Sequence, residues 1–189
     1  MNARIAPIAP PYTPELGAML EKWMPPNSGV EPLKLFRTIA KNERVAERMR
    51  GLGGALLGRT GLPMRVRELL ILRTTARCGA EYEWGVHVAA FAAAAGLADD
   101  VVEATARRPP AEGSSAEDRV VLQFVDELHD EGAVSDATWG ALAARFDEAS
   151  CIEMLAVVGY YHLISFITNG ARIEHEPWAR KFPAAREER

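Results

Sequence analysis

Apolar residues recur at three- and four-residue spacing along almost the whole chain, and no strand-like alternation runs longer than a few residues. That period belongs to the α-helix and gives a sheet little to build from. "VEPLKLFRTIAKN" and "ERVAERMRGLGGALL" carry it plainly. "TPELGAMLEKWM" adds a Thr cap, a Pro at the first helical position and an acidic first turn, with "PPNSG" as its stop. "GRTGLP" reads as a turn, after which Pro63 starts "PMRVRELLILRTTARC", with Leu69, Leu72, Thr75 and Ala76 on one side. "GAEYEWGVHVAAFAAAAG" follows and is expected to run to Gly96 as its C-terminal cap. "LADDVVEATARR" is a short amphipathic helix halted by "PP". "EGSSAEDRVVLQFVDELHDEG" has a Ser cap, a stripe of Val120, Val121, Phe124, Val125 and Leu128, and a Gly stop. "VSDATWGALAARF" repeats that design, and "DEASCIEMLAVVGYYHLISFITNG" is the longest and most apolar helix. The class is all-α.

A chain of 189 residues fits one domain, or one domain with an extra arm. The pattern divides it into an N-terminal arm and helix (1–30), a helical domain (31–170) and a charged tail (171–189). The tail is expected on the surface or against a neighbouring subunit. The 22 basic residues do not exceed the 26 acidic ones and form no stripe, so no nucleic-acid partner is expected. No apolar run approaches the roughly 18 residues of a membrane span. The proline-rich start does not read as a signal peptide, and a cytoplasmic protein is expected. The two cysteines, Cys78 and Cys151, form no CxxC pair and read as packed thiols.

"AEYEWGVH", residues 80 to 87, is the densest chemistry in the sequence. On a helix Glu83 and His87 are i and i+4 and share a face, while Glu81 points about 200° away. The following Phe91 and alanines leave that face no water-facing surface, so the pair stands at the polar end of a buried helix. A neighbouring carboxylate raises an imidazole pKa and burial lowers it; together they can place it near 7. The alternative is a solvated i, i+4 pair that stabilises the helix by a few tenths of a kcal/mol.

Read from Glu68, the spacing is Glu68, eleven residues, Ala80, two residues, Glu83, three residues, His87. This resembles the alkylhydroperoxidase D-like superfamily, whose signature has Glu, Cys, Cys and His at those positions. Glu68 and His87 fall on its proton-relay glutamate and histidine, whereas Ala80 and Glu83 replace both cysteines. "RELLILRTTARCGAEYEWGVH" is similar to the carboxymuconolactone decarboxylase branch, and "FVDELHDEGAVSDATWGALAARF" and "GYYHLISFITN" resemble its longer members. The resemblance implies an all-helical fold, trimers or hexamers, and active sites near subunit contacts.

Disulfide redox chemistry needs a thiolate and a resolving thiol, and neither stands at the motif. A Glu/Glu/His site suits proton movement. The branch removes CO2 from a carboxylated unsaturated lactone, a small-molecule substrate that serves as its own electron sink, so no cofactor and no metal is required. His87 would deliver the proton, with Glu83 or Glu68 orienting it. An arginine should hold the substrate carboxylate, Arg73 first and Arg65 second. Glu68 has a structural alternative, complementing its helix N-terminus. His162, with Asn169 two turns on, reads either as a satisfied core histidine or as a second pocket wall. Trp84, Phe91, Tyr161 and Phe166 are further candidate walls; His129 and His175 read as solvated. His87, Glu83 and His162 could converge on zinc only by arithmetic, since no spacing supports it. Hydrolysis, isomerisation or cyclisation on the same scaffold, or a non-catalytic binding role, stay open.

Overall fold

The structure, a computed structural model, describes residues 2–24, 30–58, 61–107 and 115–184. Within them every regular element is a helix: α1 (Pro14–Glu21), α2 (Lys34–Ile39), α3 (Glu43–Leu57), α4 (Met64–Arg77), α5 (Glu81–Phe91), α6 (Asp99–Thr105), α7 (Ala116–Glu131), α8 (Asp136–Ala143) and α9 (Glu148–Ala171). Local chemistry sets their starts. Thr13, Asn42, Ser115, Ser135 and Asp147 each accept a hydrogen bond from a first-turn amide. The expected stops at Pro25–Gly29 and Pro109–Pro110, and Arg59 and Thr60 of the expected turn, lie outside the described residues.

α4 is the centre, packed against α7, α9 and α5. It is buried on every side from Val66 to Thr75, polar residues included, rather than along the one face expected. Its end is a left-handed cap. Gly79 takes φ 63°, and the amide of Ala80 donates back to the Thr75 carbonyl at 2.8 Å. Ala80 then caps α5 at once, so α5 folds back on α4 and a residue nineteen positions past Glu68 lies beside it.

Three expectations change. Regular α5 stops at Phe91; residues 92–96 continue as a tightening turn closed by Gly96 at φ 65°. Ala89, Ala90, Ala93 and Ala94 are exposed, because this end of the hairpin faces outward. The tail is part of the fold: Glu176 is buried, accepts from Tyr82 Oη and the Lys34 amide at 2.7 Å each, and Phe182 packs on Trp84. Finally, α9 is long and apolar enough by length and composition to cross a membrane, contrary to the reading of the sequence; half of that stretch is buried inside the bundle. Its outer face leaves Ile152, Leu155, Leu163 and Phe166 exposed.

Candidate active site

α4 and α5 bring Glu68, Glu83 and His87 together in the interior. His87 is 4% exposed and Glu68 1%. His87 Nδ1 lies 2.8 Å from Glu68 Oε2, and its Nε2 lies 3.5 Å from Glu83 Oε1 and 3.0 Å from Tyr161 Oη. The other Glu68 oxygen faces the Arg67 guanidinium at 3.4 Å, and Arg67 also donates to the Leu57 carbonyl. Two buried carboxylates are thus balanced by a guanidinium and an imidazolium, the condition under which charges persist in a protein interior.

Burial alone pushes the His87 imidazole down, but the charges and hydrogen bonds of Glu68 and then Glu83 outweigh it and raise its pKa to about 9. The value near 7 expected from sequence is therefore corrected upward: two carboxylates act on the ring, both within a low-dielectric site. At neutral pH His87 is an imidazolium, donating Nδ1–H to Glu68 and Nε2–H to Tyr161 Oη. Burial, then the two carboxylates, holds the Tyr161 hydroxyl well above its ordinary value, so it stays protonated. When Nε2 loses its proton, Tyr161 can donate to it instead. Glu83 Oε2 is buried and has no hydrogen-bond partner among the described residues. An acceptor so placed is costly unless something binds it.

Beside this cluster opens a cavity of about 540 Å³, a volume suited to a small molecule. Its walls include Trp23, Phe36, Phe91 and Tyr160, with Arg50 and Lys22 as cations. Phe91 also lies tilted against His87, with ring centroids 5.1 Å apart, and Tyr160 meets Tyr161 edge to face at 5.6 Å. These two rings separate cavity from relay. Burial and the Glu83 charge push the Tyr160 hydroxyl up to about 12.

The remaining expected site residues lie elsewhere. Arg73 is fully buried, donates two bonds to Asp126 at 2.7 Å each, and caps the Thr105 and Arg107 carbonyls; it ties α4 to α6 and α7 and does not line the cavity beside His87. Arg65 is forked onto Asp118 and the Gly96 carbonyl. Trp84 is buried with Nε1–H donating to Thr105 Oγ1 at 3.0 Å. His162 does not wall the cavity; its Nε2 meets His129 Nδ1 at 2.9 Å. Asn169 donates to the Cys78 carbonyl, and Phe166 is 65% exposed on the outer face of α9. His129 is half-buried rather than solvated, and His175 pairs with Glu81. Glu68 lies beyond the first turn of α4 and partners His87 rather than the helix end. Sequence reasoning missed Arg50 and Tyr160. One signal was present: "GLGG" inside α3. A Cβ on Gly53 would stand 2.6 Å from Tyr160 Oη, so the glycine lets α9 approach there.

Residues 43–127, which include Glu68, Glu83 and His87, match the carboxymuconolactone decarboxylase family. No curated protein matches the sequence. Among solved structures, a peroxidase-related protein from Silicibacter sp. TM1040 aligns with a TM-score of 0.78 at 16% identity, covering 94% of this chain and 93% of that one. The debrominase Bmp8, solved in complex with 2,3,4-tribromopyrrole, aligns at 0.76 and 17% identity over 94% of each chain. A peroxidase-related protein with an alkylhydroperoxidase core from Ralstonia eutropha JMP134 aligns at 0.76 and 16% identity, over 92% and 93%. The Glu–His pair is placed by the α4–α5 hairpin, with Ala80 and Glu83 between its two members; this chain has the all-helical fold of these alkylhydroperoxidase-like structures, and its residues 43–127 match the carboxymuconolactone decarboxylase family.

Proposed function

We propose that this chain is an enzyme of the carboxymuconolactone decarboxylase-like type that needs no cofactor for its chemistry and decarboxylates a small carboxylated lactone or cyclic acid. One observation carries the reading: a buried imidazolium held by Glu68 stands behind Glu83, whose second oxygen has no partner. The substrate ring lies among Trp23, Phe36, Phe91 and Tyr160, with its carboxylate toward Arg50. The C–C bond to the carboxylate breaks, CO2 leaves, and the electron pair delocalises into the ring carbonyl as an enolate. The Phe91 and Tyr160 rings, which stand between cavity and relay, part to let a proton pass from His87 by way of Glu83 to the carbanionic carbon. Glu68 and Glu83 keep the ring charged until that moment, and apolar walls exclude water. A thiol peroxidase reading has little support, since Cys78 and Cys151 are both free and neither stands in the Glu/Glu/His site. The exposed apolar stripe on α9 supports a homo-oligomer, to be weighed by light scattering.

The test is CO2 release across a panel of carboxylated lactones, muconate-like diacids and cyclic keto acids. With a turned-over substrate in hand, Glu83→Gln and His87→Ala should each lower the rate by about 100-fold to 10,000-fold while the fold survives. An unchanged rate in either variant would remove the assigned role. If no panel member turns over but one shifts the melting temperature, hydrolysis, isomerisation or a binding role takes its place.

A further inference from the structure

Cys78, His129 and His162 come together where the C-terminal ends of α4 and α7 meet the middle of α9, away from any role in the proposed reaction. Cys78 caps α4, His129 lies in the last turn of α7, and His162 is in the middle of α9. One ligand atom from each lies within 4.8 Å of the others. His129 Nδ1 is 2.9 Å from His162 Nε2 and 3.9 Å from Cys78 Sγ. We propose that this cluster is a zinc site, with Cys78 Sγ, His129 Nδ1 and His162 Nε2 as three ligands and water as the fourth.

Three features support it. The Nδ1–H of His162 donates to the Val158 carbonyl at 2.9 Å, which fixes the tautomer and leaves Nε2 with a lone pair aimed at the cluster. Asn169 Nδ2 holds the Cys78 carbonyl, so the thiol is anchored from α9 as well as from α4. The nearby Arg77 charge, which would repel a cation, is already spent on Asp126 and Asp130 at 2.6 and 2.5 Å. Ligands on a tetrahedral zinc stand roughly 3.3 to 3.6 Å apart, so the two His129 distances need to change by a few tenths of an ångström, while Cys78 Sγ and His162 Nε2, within 4.8 Å of each other, close by up to about 1 Å. A cavity of about 330 Å³ lined by Arg77, Thr105, His129 and Asp130 borders the site and gives the fourth position access. One thiol and two imidazoles are a borderline-soft set that suits zinc.

Binding balances simply. The thiol proton leaves to solvent as the Zn–S bond forms. His129 moves its proton from Nδ1 to Nε2 and keeps its charge. One proton is released per ion.

The experiment is titration of the purified, metal-stripped full chain with Zn2+ by calorimetry, and with Co2+ by absorbance. Expected are one ion per chain, one proton released, and a thiolate-to-cobalt charge-transfer band. Cys78→Ser should abolish that band, and His162→Gln should weaken zinc binding by at least about 100-fold. Cys151→Ser and Glu83→Gln should leave both readouts unchanged. Circular dichroism confirms that each variant is folded. No stoichiometric ion in the wild type, a band that survives in Cys78→Ser, or loss of binding in Glu83→Gln each overturns the site.

Discussion

Glu68 Oε2 and His87 Nδ1 stand 2.8 Å apart, both buried, on two helices joined by the corner Cys78–Gly79–Ala80. This contact, more than the i, i+4 neighbour Glu83 at 3.5 Å, keeps the imidazole charged. His87 is therefore expected to titrate near 9 when followed by NMR of the ring nitrogens. In Glu68→Gln one of the two carboxylates is gone and burial regains weight, so the midpoint falls. A wild-type midpoint below the ordinary histidine value would contradict the arrangement.

The same shift makes stability depend on pH, with a definite sign. The folded-state pKa of His87 is raised above its unfolded value, so the folded protein holds this proton more tightly. The resulting stabilisation is present in full below the ordinary value of 6.5 and is lost as pH rises through about 9. Its size is about 3 kcal/mol at most. Denaturant unfolding of wild type and His87→Asn between about pH 6 and pH 10 isolates it, since other titrating groups cancel in the difference. The gap between the two proteins should narrow toward alkaline pH; a constant gap would mean that His87 is neutral in the folded state.

Arg73 and Arg50 should behave oppositely. Arg73→Ala removes one of the two guanidinium partners of Asp126, leaving it Arg77, and uncaps two carbonyls, which should cost at least about 1 to 3 kcal/mol of stability. Arg50 makes no ion pair among the described residues and borders the cavity, so Arg50→Ala should leave the melting temperature nearly unchanged and raise KM for a carboxylated substrate. Equal destabilisation by the two would remove Arg50 from the cavity's chemistry.

Tyr161→Phe keeps the ring packed against His87 but deprives Nε2 of its nearest partner. A lost buried partner costs about 1 to 3 kcal/mol. Since Tyr161 Oη accepts the hydrogen bond of the imidazolium Nε2–H, the variant should also shift the pH dependence of turnover; a change in stability with an unmoved profile would make Tyr161 a packing residue only.

Periodicity and caps carried the helices, and motif spacing carried Glu68, Glu83 and His87, because each depends on residues close in sequence. The arginines were misplaced for the opposite reason. Arg73 and Arg65 find Asp126 and Asp118, each 53 residues away, and no local pattern encodes such a pairing. Tyr161 was placed among the walls, but its bond to His87 crosses 74 residues. The tail read as surface because it is charged, yet one carboxylate, Glu176, is satisfied by Tyr82 and the Lys34 amide and so can be buried.

Gly85 shows the same dependence on distant chain. It stands in the middle of α5, where glycine normally weakens a helix. A Cβ there would lie 1.9 Å from the Arg180 carbonyl oxygen, and the Arg180 amide donates to the Gly85 carbonyl. The absent side chain is what lets the tail cross α5 and set Phe182 on Trp84. Gly85→Ala should raise helix propensity yet destabilise the protein, by about 1 to 3 kcal/mol, because backbone must move. Proteolysis should then cut the 172–184 segment faster, by an amount that tracks the lost contact. A variant more stable than wild type, as propensity alone requires, would mean that the tail does not pack on α5 in solution.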